Sequence, residues 1–594
     1  MILSRVFVCI TDKLINFSKM RTLTKIILIL TTFCLSATCF GKKKDAMDMV
    51  VVAYVTSWTN EVPDPSVMTH INYAFGHVND TFNGVRIDNP DRLRMIVGLK
   101  QQNPALKVML SVGGWGSGRF SEMAATQENR QAFALDCRRV VNEFGLDGID
   151  IDWEYPTQGG AGISSSPDDT KNFTLLMATL RKVLGKKQLL TAATVSSAQF
   201  IDFKSCIQYM DFVNVMAYDM GNPSQHHAAL FPSDISGYCT SSEAVQKHLE
   251  AGVPREKLVM GVPFYGKGKR DDEGLRQFNR TGRLPQGYEE RWDEKGMVPY
   301  RVNDKGEFVW GYENTRSLAA KCKFILDNNL RGGMYWDYAS DNPQGDESRT
   351  LYLSLMKNRQ ATIPPRRVLV LAERGGLHEG FTATGLQWLE DQKERLNMEL
   401  TILNSAKEIP QGELRKYHLV LQLNYPPYAW SEAAQKDMQE YIDRGIGSYI
   451  GFHHASLLGE FDGYPMWNWF SDFMGDIRYK NYIAETSDGT VQVEDRQHPV
   501  MQHVPGTFVV AEDEWYTYES DPRPNVHVLA HVDECSYTLK TDVKMGDHPV
   551  IWINPQKRAR NVYFQFGHSK SLFENPAFLT LFENALKWTL YDVE

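Results

Sequence analysis

Three carboxylic acids stand at alternate positions near residue 150. The octapeptide 147–154 reads Asp-Gly-Ile-Asp-Ile-Asp-Trp-Glu, so that Asp150, Asp152 and Glu154 fall at positions i, i+2 and i+4. Because successive side chains of a β-strand point to opposite faces, these three acids form a row on one face of a strand. The intervening isoleucines and tryptophan indicate that the other face is buried as well.

Burial limits the charge that such a row can carry. Neighbouring negative charges disfavour ionisation, so we expect at least one of the three acids to hold a proton near neutral pH. A protonated carboxylic acid beside an ionised one is what a general-acid catalyst requires. The alternative is an exposed strand with solvated acids, and the apolar residues between them disfavour it.

The chain around this octapeptide repeats a short apolar run, a loop and an amphipathic stretch. The eight apolar runs are 50–58, 70–78, 107–115, 148–154, 189–196, 209–219, 258–266 and 332–337. Helical patterns between them include 91–102, 129–144, 170–184, 242–251 and 315–328. Eight strand-then-helix units over residues 49–357 predict a (β/α)8 TIM barrel, in which chemistry takes place at the carboxyl ends of the strands. The acidic octapeptide closes the fourth predicted strand.

A second α/β domain is predicted beyond a linker. The polar, proline-bearing stretch 358–366 interrupts the pattern and is typical of a linker. Residues 367–594 then alternate strand and helix patterns again, which predicts a flavodoxin-like, doubly wound sheet. Its predicted strands are 367–373, 418–424 and 447–453, and its predicted helices are 384–396, 434–444 and 575–590, whereas 462–523 is less regular.

Further motifs accompany the octapeptide in chain order. They are Ser-Val-Gly-Gly-Trp at 111–115, Met-Ala-Tyr-Asp at 216–219 and a tryptophan at position 336. Together these motifs resemble those of family 18 glycoside hydrolases, which include chitinases and endo-β-N-acetylglucosaminidases. The resemblance implies a retaining glycosidase that hydrolyses β-1,4-linked N-acetylglucosamine in chitin or chito-oligosaccharides. It also implies that the acetamido oxygen of the substrate is the nucleophile, an exception to the scheme with two carboxylates.

The resemblance assigns a role to each acid. It implies that Glu154 protonates the glycosidic oxygen and later activates water, and that Asp152 holds the acetamido N–H. Asp150 would share a proton with Asp152, and Tyr218 would donate a hydrogen bond to the acetamido carbonyl. The substrate-binding residues that it implies, with Trp336 as the floor under a sugar ring, are Tyr54, Phe75, Gly114, Trp115, Met216, Asp219, Tyr265 and Trp336. No metal or other cofactor is expected in the barrel.

Two alternatives share this barrel. The segment between Tyr265 and Trp336 is short for the α+β insertion that deepens the cleft of similar processive chitinases. A shallower cleft suits shorter or branched substrates and favours an endo-β-N-acetylglucosaminidase acting on N-glycans. The other alternative is a non-catalytic chitin-binding lectin, which the presence of Glu154 with Asp152 and Tyr218 disfavours.

Ten of the fifteen histidines lie beyond residue 366. The segments 451–455, 548–552 and 567–568 read Gly-Phe-His-His-Ala, His-Pro-Val-Ile-Trp and Gly-His, and they resemble a ThuA-like domain, a relative of class I glutamine amidotransferases. Histidines occupy the turn where an amidotransferase carries its nucleophilic cysteine, so amidotransferase chemistry is not expected. We predict a ligand pocket lined by His378, His453, His454 and His568, and the sequence leaves open whether it holds a metal.

Residues 1–41 have the features of an export signal. An apolar run at 26–35 follows Lys25, precedes small residues and is too short to span a bilayer. A start at Met20 and lipid attachment at Cys39 are alternatives that the sequence leaves open. We therefore expect an exported protein, which is periplasmic, at the cell surface or extracellular.

Charge narrows the choice of partner. The net charge of −9 without a long basic run argues against nucleic acid. We expect an oligosaccharide or polysaccharide that contains N-acetylglucosamine as the partner, and no membrane span.

Overall fold

Eight parallel strands close into a barrel in the first half of the chain. Neighbouring strands pair in chain order, and the first strand also pairs with the last. The strands are β1 (Val50–Thr56), β2 (His70–Val78), β3 (Lys107–Gly113), β4 (Gly148–Asp152), β5 (Leu189–Val195), β6 (Phe212–Met216), β7 (Leu258–Pro263) and β8 (Gly332–Trp336). Each overlaps one of the eight apolar runs, so the predicted (β/α)8 barrel is confirmed.

The computed structural model describes residues 49–269, 288–358, 364–461, 463–482, 486–537 and 543–591. The predicted export signal, with Met20 and Cys39, lies outside the described residues, as does most of the predicted linker. Among the described residues, none of the helices has both the length and the apolar character needed to cross a bilayer.

Helices surround the barrel and cover its strands. They are α1 (Pro90–Gly98), α2 (Phe120–Ala125), α3 (Gln127–Phe144), α4 (Asp169–Leu184), α5 (Phe203–Cys206), α6 (Ser241–Glu250), α7 (Thr315–Asp327) and α8 (Asp346–Tyr352). Local sequence sets their ends: α3 begins where the Thr126 side chain accepts from the Asn129 amide, and it ends at Gly145 with φ 68°. A short strand, Val85–Ile87, adds antiparallel to β2.

A small antiparallel sheet occupies the connection from β7 to β8. Its strands are Lys267–Gly268, Tyr288–Asp293, Val298–Asn303 and Phe308–Gly311. Within the described part of this connection, the sheet is followed directly by α7, which returns the chain to the barrel. Residues 270–287 of the connection lie outside the described ranges.

The second domain is built on a nine-stranded mixed sheet. Its strands are β9 (Arg366–Ala372), β10 (Met398–Leu403), β11 (Leu419–Leu423), β12 (Ser448–Phe452), β13 (Ser487–Val493), β14 (Thr507–Asp513), β15 (His527–Asp533), β16 (Pro549–Ile553) and β17 (Asn561–Phe564). Five of them are parallel in the order β10-β9-β11-β12-β17, which is the 2-1-3-4-5 order of the predicted flavodoxin-like fold. The order then continues β16-β15-β13-β14 with antiparallel pairing, so the sheet is larger and more mixed than the sequence predicts.

Helices and two apolar cores cover both faces of this sheet. The helices are α9 (Glu379–Gln392), α10 (Glu432–Asp443), α11 (Asn468–Phe473) and α12 (Pro576–Leu590). The region 462–523, which has no clear pattern in the sequence, contributes β13, β14 and the paired strands Tyr479–Tyr482 and Tyr516–Tyr518. A register shift interrupts β13 and the edge strand β14 exposes Val509, so neither shows a continuous apolar run.

A buried charge cluster joins the two domains. Asp346 on α8 accepts hydrogen bonds from His418 Nε2 at 2.8 Å and from Arg366 Nη1 at 2.6 Å. Burial raises the pKa of Asp346, but His418 and Arg366 outweigh it and hold that pKa well below its usual range. Asp346 therefore remains a carboxylate in the interface, and both partners belong to the second domain.

A second buried ion pair fixes α7 against the barrel. Lys321 on α7 pairs with Glu313, and both side chains are almost fully buried. The Lys321 ammonium also donates to the carbonyl oxygen of Ala228 at 2.6 Å, in the long connection after β6. Since the pair has no access to water, the two charges depend on each other.

We expect Lys321→Met to destabilise the barrel by about 3–5 kcal/mol, because it leaves Glu313 buried without a counter-ion. Lys323→Met on the same helix is the matched control, since Lys323 pairs with Asp327 in an exposed ion pair and such pairs contribute little. Calorimetric unfolding of the full chain measures both. Equal midpoints for the two variants would show that the buried pair does not stabilise the barrel.

Candidate active site

The three acids of the octapeptide lie at the carboxyl end of β4. Asp150 and Asp152 belong to the strand, which pairs with β3 on one side and β5 on the other, and Glu154 follows it. Asp150 is completely buried, Asp152 nearly so, and Glu154 is half-buried. Because side chains alternate between the two faces of the strand, the three acids lie in one row that runs from the barrel interior to its mouth.

Asp150 is anchored by four hydrogen-bond donors. Tyr54 and Ser111 donate to Oδ2 at 2.8 Å each, and Thr191 and Asn214 donate to Oδ1 at 2.5 and 3.3 Å. Burial raises the pKa of Asp150, and the four hydrogen bonds oppose that rise because they favour the ionised form. The deepest acid is thus held in one orientation.

Asp152 has a different environment. Its Oδ1 atom is buried and has no hydrogen-bond partner among the described residues. Burial raises the pKa of Asp152 well above its usual range, and the charges of Glu154 and Asp150 raise it further. The side chain therefore carries a proton near neutral pH, and its free oxygen faces no protein donor.

Glu154 is the acid nearest to the mouth of the barrel. Burial raises its pKa to about 7, although a hydrogen bond from the Tyr155 hydroxyl to Oε2 at 2.9 Å acts in the opposite direction. A carboxylic acid whose pKa lies near neutrality can both donate and accept a proton during one reaction. Tyr155 was not among the residues predicted from the sequence, since it follows the strand and no periodicity marks it.

Tyr218 presents a hydroxyl group beside these acids. It lies after β6, whose inward residues Asn214 and Met216 share its phase. Among the described residues, the hydrogen-bond partner of the Tyr218 hydroxyl is the weakly accepting sulfur of Met334 at 4.0 Å. Burial raises the pKa of Tyr218, and the charge of Asp152 raises it further, so the hydroxyl keeps its proton and can donate it to a ligand.

Asp219 is held at the rim by residues of two connections, the one after β6 and the one after β7. Tyr265 donates to Oδ1 at 2.6 Å, the Lys267 ammonium lies 2.7 Å away, and His227 Nδ1 lies at 3.4 Å. Burial alone raises the pKa of Asp219, but these three partners outweigh it and hold that pKa well below its usual range. The permanent negative charge of Asp219 helps to raise the pKa of Glu154.

Aromatic rings line the barrel mouth. The Trp336 ring stacks on Phe75 with centroids 5.6 Å apart and planes inclined by 19°, and it also contacts Tyr54 and Trp58. Trp58 and Trp115 are 63% and 67% exposed, which is unusual for tryptophan. Exposed ring faces at the mouth of a cleft are suited to stacking on sugar rings.

Gly114 supports this aromatic wall. Its amide donates to the Asp152 carbonyl oxygen at 2.9 Å, and its φ angle of 92° favours glycine. A Cβ atom at Gly114 would lie 2.5 Å from the Phe75 ring. Glycine at this position therefore lets β3 approach the wall closely.

The structure thus places the predicted residues in connected groups. Asp150, Asp152, Glu154 and Tyr218 surround the carboxyl end of β4. Further residues that the sequence did not indicate complete the site, and these are Tyr155, Thr191, His227, Lys267 and Met334. Thr191 lies opposite Asp150 in the register of β4 and β5, a relation that becomes visible once the strand pairing is known.

The histidines of the second domain also come together. The His378 ring lies 5.0 Å from His453, 4.1 Å from His454 and 4.7 Å from His568, measured between centroids. Two acids that the sequence did not indicate, Glu373 and Glu514, lie beside them. Glu514 follows β14, in the region without a recognisable pattern.

Fold and site together define a class of protein. A (β/α)8 barrel that ends its fourth strand in an anchored acid, an unpaired acid and an acid with a pKa near 7 has the arrangement of a glycoside hydrolase. Exposed aromatic rings around the same mouth fit that class.

Comparison with known families makes the assignment specific. Residues 50–341 match the model of glycosyl hydrolases family 18, and residues 367–589 match the model of ThuA, described as trehalose utilisation. Residues 50–341 are therefore a family 18 domain, and a ThuA-like domain follows them.

Relatives match the barrel half of the chain. Chitinase A1 of Niallia circulans is 32% identical over 337 residues, which are 48% of this chain and 48% of the relative. Chitotriosidase-1 of Mus musculus is 29% identical over 348 residues, or 50% of this chain and 74% of the relative. The chain spans about half the length of the first of these relatives. A solved family 18 N-acetylglucosaminidase from Paenibacillus barengoltzii is 32% identical, with coverage of 52% of this chain and 100% of that chain and a TM-score of 0.47.

We expect Asp152→Asn to raise the thermal midpoint, and to raise it more at pH 8 than at pH 5. The folded protein raises the pKa of Asp152, so ionisation of this carboxyl group costs stability as the pH rises, and a neutral amide removes that cost.

Asp219→Asn is the control with the opposite sign. The folded pKa of Asp219 is lowered, so its carboxylate stabilises the fold at every pH above its usual pKa, and the amide should lower the midpoint at both pH values. Scanning fluorimetry of the two variants measures both effects. A lower midpoint for Asp152→Asn at pH 8 would contradict the description of Asp152 as an unpaired buried acid.

Proposed function

We propose that the barrel is a retaining glycosidase that hydrolyses β-1,4-linked N-acetylglucosamine in chitin or chito-oligosaccharides by substrate-assisted catalysis. The observation that carries this proposal is the row of three acids with different environments. Asp150 is anchored by hydrogen bonds, Asp152 has an oxygen without a partner, and Glu154 has a pKa of about 7. The apolar run at 26–35 supports the further proposal that the protein is exported.

Glu154 serves as the general acid. With a pKa of about 7 it is largely protonated in mildly acidic solution, and it lies at the open end of the row. Its proton passes to the glycosidic oxygen as the bond from that oxygen to the anomeric carbon breaks. The resulting carboxylate then accepts a proton from the water that attacks the same carbon in the second step.

Asp152 and Tyr218 position the nucleophile that the substrate supplies. The free Asp152 oxygen accepts a hydrogen bond from the acetamido N–H, and the Tyr218 hydroxyl donates one to the acetamido carbonyl. That carbonyl oxygen forms a bond to the anomeric carbon while the leaving sugar departs, and water later breaks the same bond. Two displacements at one carbon retain its configuration.

The wall of the cleft bears on the choice of substrate. Trp336 and the exposed Trp58 and Trp115 provide ring faces for successive sugars. The relatives named chitinase and chitotriosidase support a chitin-type substrate. The short segment between Tyr265 and Trp336 suits a shallower cleft, which keeps the endo-β-N-acetylglucosaminidase alternative in the test below.

The substrate test uses chito-oligosaccharides and a high-mannose glycoprotein in parallel digests. We expect cleavage of the oligosaccharides with the β-anomer as the first product observed by NMR. An initial α-anomer would contradict the retaining mechanism. Release of an intact glycan without oligosaccharide cleavage would replace the chitinase proposal with the endo-glycosidase.

We expect Glu154→Gln to lower kcat at least about 100-fold, since the amide cannot supply a proton to the leaving oxygen. Its affinity for a chito-oligosaccharide, measured by calorimetry, should change little because shape and size are kept. Asp136→Asn, on the outer helix α3, is the matched acidic control. A Glu154→Gln enzyme with near-normal kcat would disprove the assignment of the acid.

Tyr155→Phe tests the origin of the Glu154 pKa. The Tyr155 hydroxyl lowers that pKa through its hydrogen bond, so its loss should raise the pKa by about one pH unit, equivalent to about 1.4 kcal/mol. Because the reaction needs protonated Glu154, activity falls as pH rises through about 7. The pH profile of kcat/KM, which reports the free enzyme, should show this fall moved to higher pH in the variant, and a move to lower pH would contradict the proposal.

A further inference from the structure

Four side chains of the second domain direct their ligand atoms at one point. The Nε2 atoms of His453 and His378 are 3.2 Å apart, and His568 Nδ1 lies 3.0 Å from His378 Nε2. The carboxylate of Glu514 lies 3.3 Å from His453 and 3.5 Å from both His378 and His568. All four ligand atoms fall within 4.8 Å of one another.

These separations can be compared with those around a bound metal. A tetrahedron with metal–ligand bonds of about 2.0–2.1 Å has edges of about 3.3–3.4 Å. Five separations, between 3.0 and 3.5 Å, bracket that value, with Glu514 Oε2 facing His453 and His378 and Oε1 facing His568, and the sixth, between His453 and His568, is at most 4.8 Å. The side chains are therefore already spaced as the ligands of a single small cation would be.

Hydrogen bonding without a cation leaves two acceptors of this group in contact, since His453 Nε2 lies 3.3 Å from Glu514 Oε2. The Nδ1 atom of His453 faces the Gln565 carbonyl oxygen at 2.7 Å, which can only accept, so Nδ1 carries the proton and Nε2 presents a lone pair. His378 Nε2 faces two imidazole nitrogens and can direct at most one N–H to one of them. A cation at the centre satisfies all these lone pairs and the Glu514 carboxylate at once.

The fold holds these ligands in place. His453 follows β12 at its carboxyl end and is completely buried, and the Tyr563 hydroxyl donates to its carbonyl oxygen at 2.9 Å. Asp513 accepts from the backbone N–H groups of Gly567 and His568, which fixes the loop after β17. The bond from His453 Nδ1 to a backbone carbonyl is a common outer partner of a metal-binding histidine.

The site is open on one side. The side chains of His378, Glu514 and His568 are 12%, 13% and 17% exposed, so a cation can reach them from solvent. The site lies beyond the carboxyl ends of β9, β12 and β17, at the edge where doubly wound sheets bind their ligands.

We propose that His378, His453, Glu514 and His568 bind one divalent transition-metal ion, with Zn²⁺ as the expected ion. Three imidazoles and one carboxylate suit zinc and its neighbours in the first transition row. Mg²⁺ and Ca²⁺ prefer oxygen ligands alone and do not match this set. The site is separate from the barrel, so the proposal stands independently of the proposed glycosidase activity.

A neighbouring set of side chains provides the competing assignment. His454 Nδ1 lies 2.5 Å from Glu373, and these two residues with His378 form a second group of candidate ligands. The two groups share His378 but differ in every other member. His454 adjoins His453 in the chain, so exchanging one or the other distinguishes the groups with minimal change elsewhere.

The test is metal analysis and calorimetry on the full-length protein. Chelator-treated, dialysed protein is titrated with ZnCl₂, and protein purified without chelator is analysed for zinc, manganese, cobalt and nickel. We expect about one ion per chain and a raised thermal midpoint on Zn²⁺ addition. Absence of a stoichiometric transition metal together with no Zn²⁺ binding would overturn the proposal.

Variants identify the ligands. Loss of an outer hydrogen-bond partner of a metal ligand weakens metal binding about 10–100-fold. We expect Glu514→Gln and His568→Gln each to weaken Zn²⁺ binding by more than that. His454→Gln and the exposed His527→Gln are the controls and should bind as the parent does. His453→Gln is the third ligand variant. Circular dichroism shows whether each variant is folded. If His453→Gln does not fold, a folded Glu514→Gln protein still tests the proposal.

Two results would overturn the ligand assignment. One is loss of binding in His454→Gln with normal binding in Glu514→Gln, which would move the ion to the group of Glu373, His378 and His454. The other is normal binding in Glu514→Gln, His568→Gln and His453→Gln alike. Cleavage of a chito-oligosaccharide by metal-free protein serves as a separate measurement, so failure of the glycosidase proposal remains distinguishable from failure of the metal proposal.

Discussion

The burial of three carboxyl groups along β4 is the constraint on which the rest of the barrel site depends. Four strands each contribute one donor to Asp150: Tyr54 from β1, Ser111 from β3, Thr191 from β5 and Asn214 from β6. Such donors converge on one carboxyl group because the barrel closes, since an open sheet would hold β1 far from β4. The four donors can therefore anchor the deepest acid, Asp150, because the barrel is closed.

This anchoring sets the protonation of the neighbouring acids. Asp150 has four hydrogen bonds to support its charge, whereas Asp152 has none to its Oδ1 atom and meets negative charge on both sides. Glu154 lies nearer to water and exchanges its proton close to neutrality. Asp219, fixed by Lys267 and Tyr265, adds a permanent charge at the rim. The gradient in pKa thus follows from unequal access to donors and solvent along one strand.

Sequence patterns predict much of this arrangement and miss definable parts of it. The barrel was predictable because parallel strands buried on both faces are continuous apolar runs, and the acid row was predictable because strand alternation is strictly periodic. Thr191 and Tyr155 were not, because their roles depend on strand register and on a chain turn rather than on periodicity. Glu514 was missed for another reason: it follows the edge strand β14, whose half-exposed pattern resembles a loop.

The second domain applies the same topological rule with different chemistry. Both domains place their functional groups at the carboxyl ends of parallel strands, carboxyl groups in the barrel and imidazoles in the ThuA-like domain. The contact between the domains lies at the amino ends of these strands. Arg366 begins β9, His418 precedes β11, and both bind Asp346 of α8. Because the barrel is attached at the amino ends of these strands, the histidine-lined edge is left free of that contact. The proposed metal ligands and the contact with the barrel therefore lie at opposite ends of the same parallel strands.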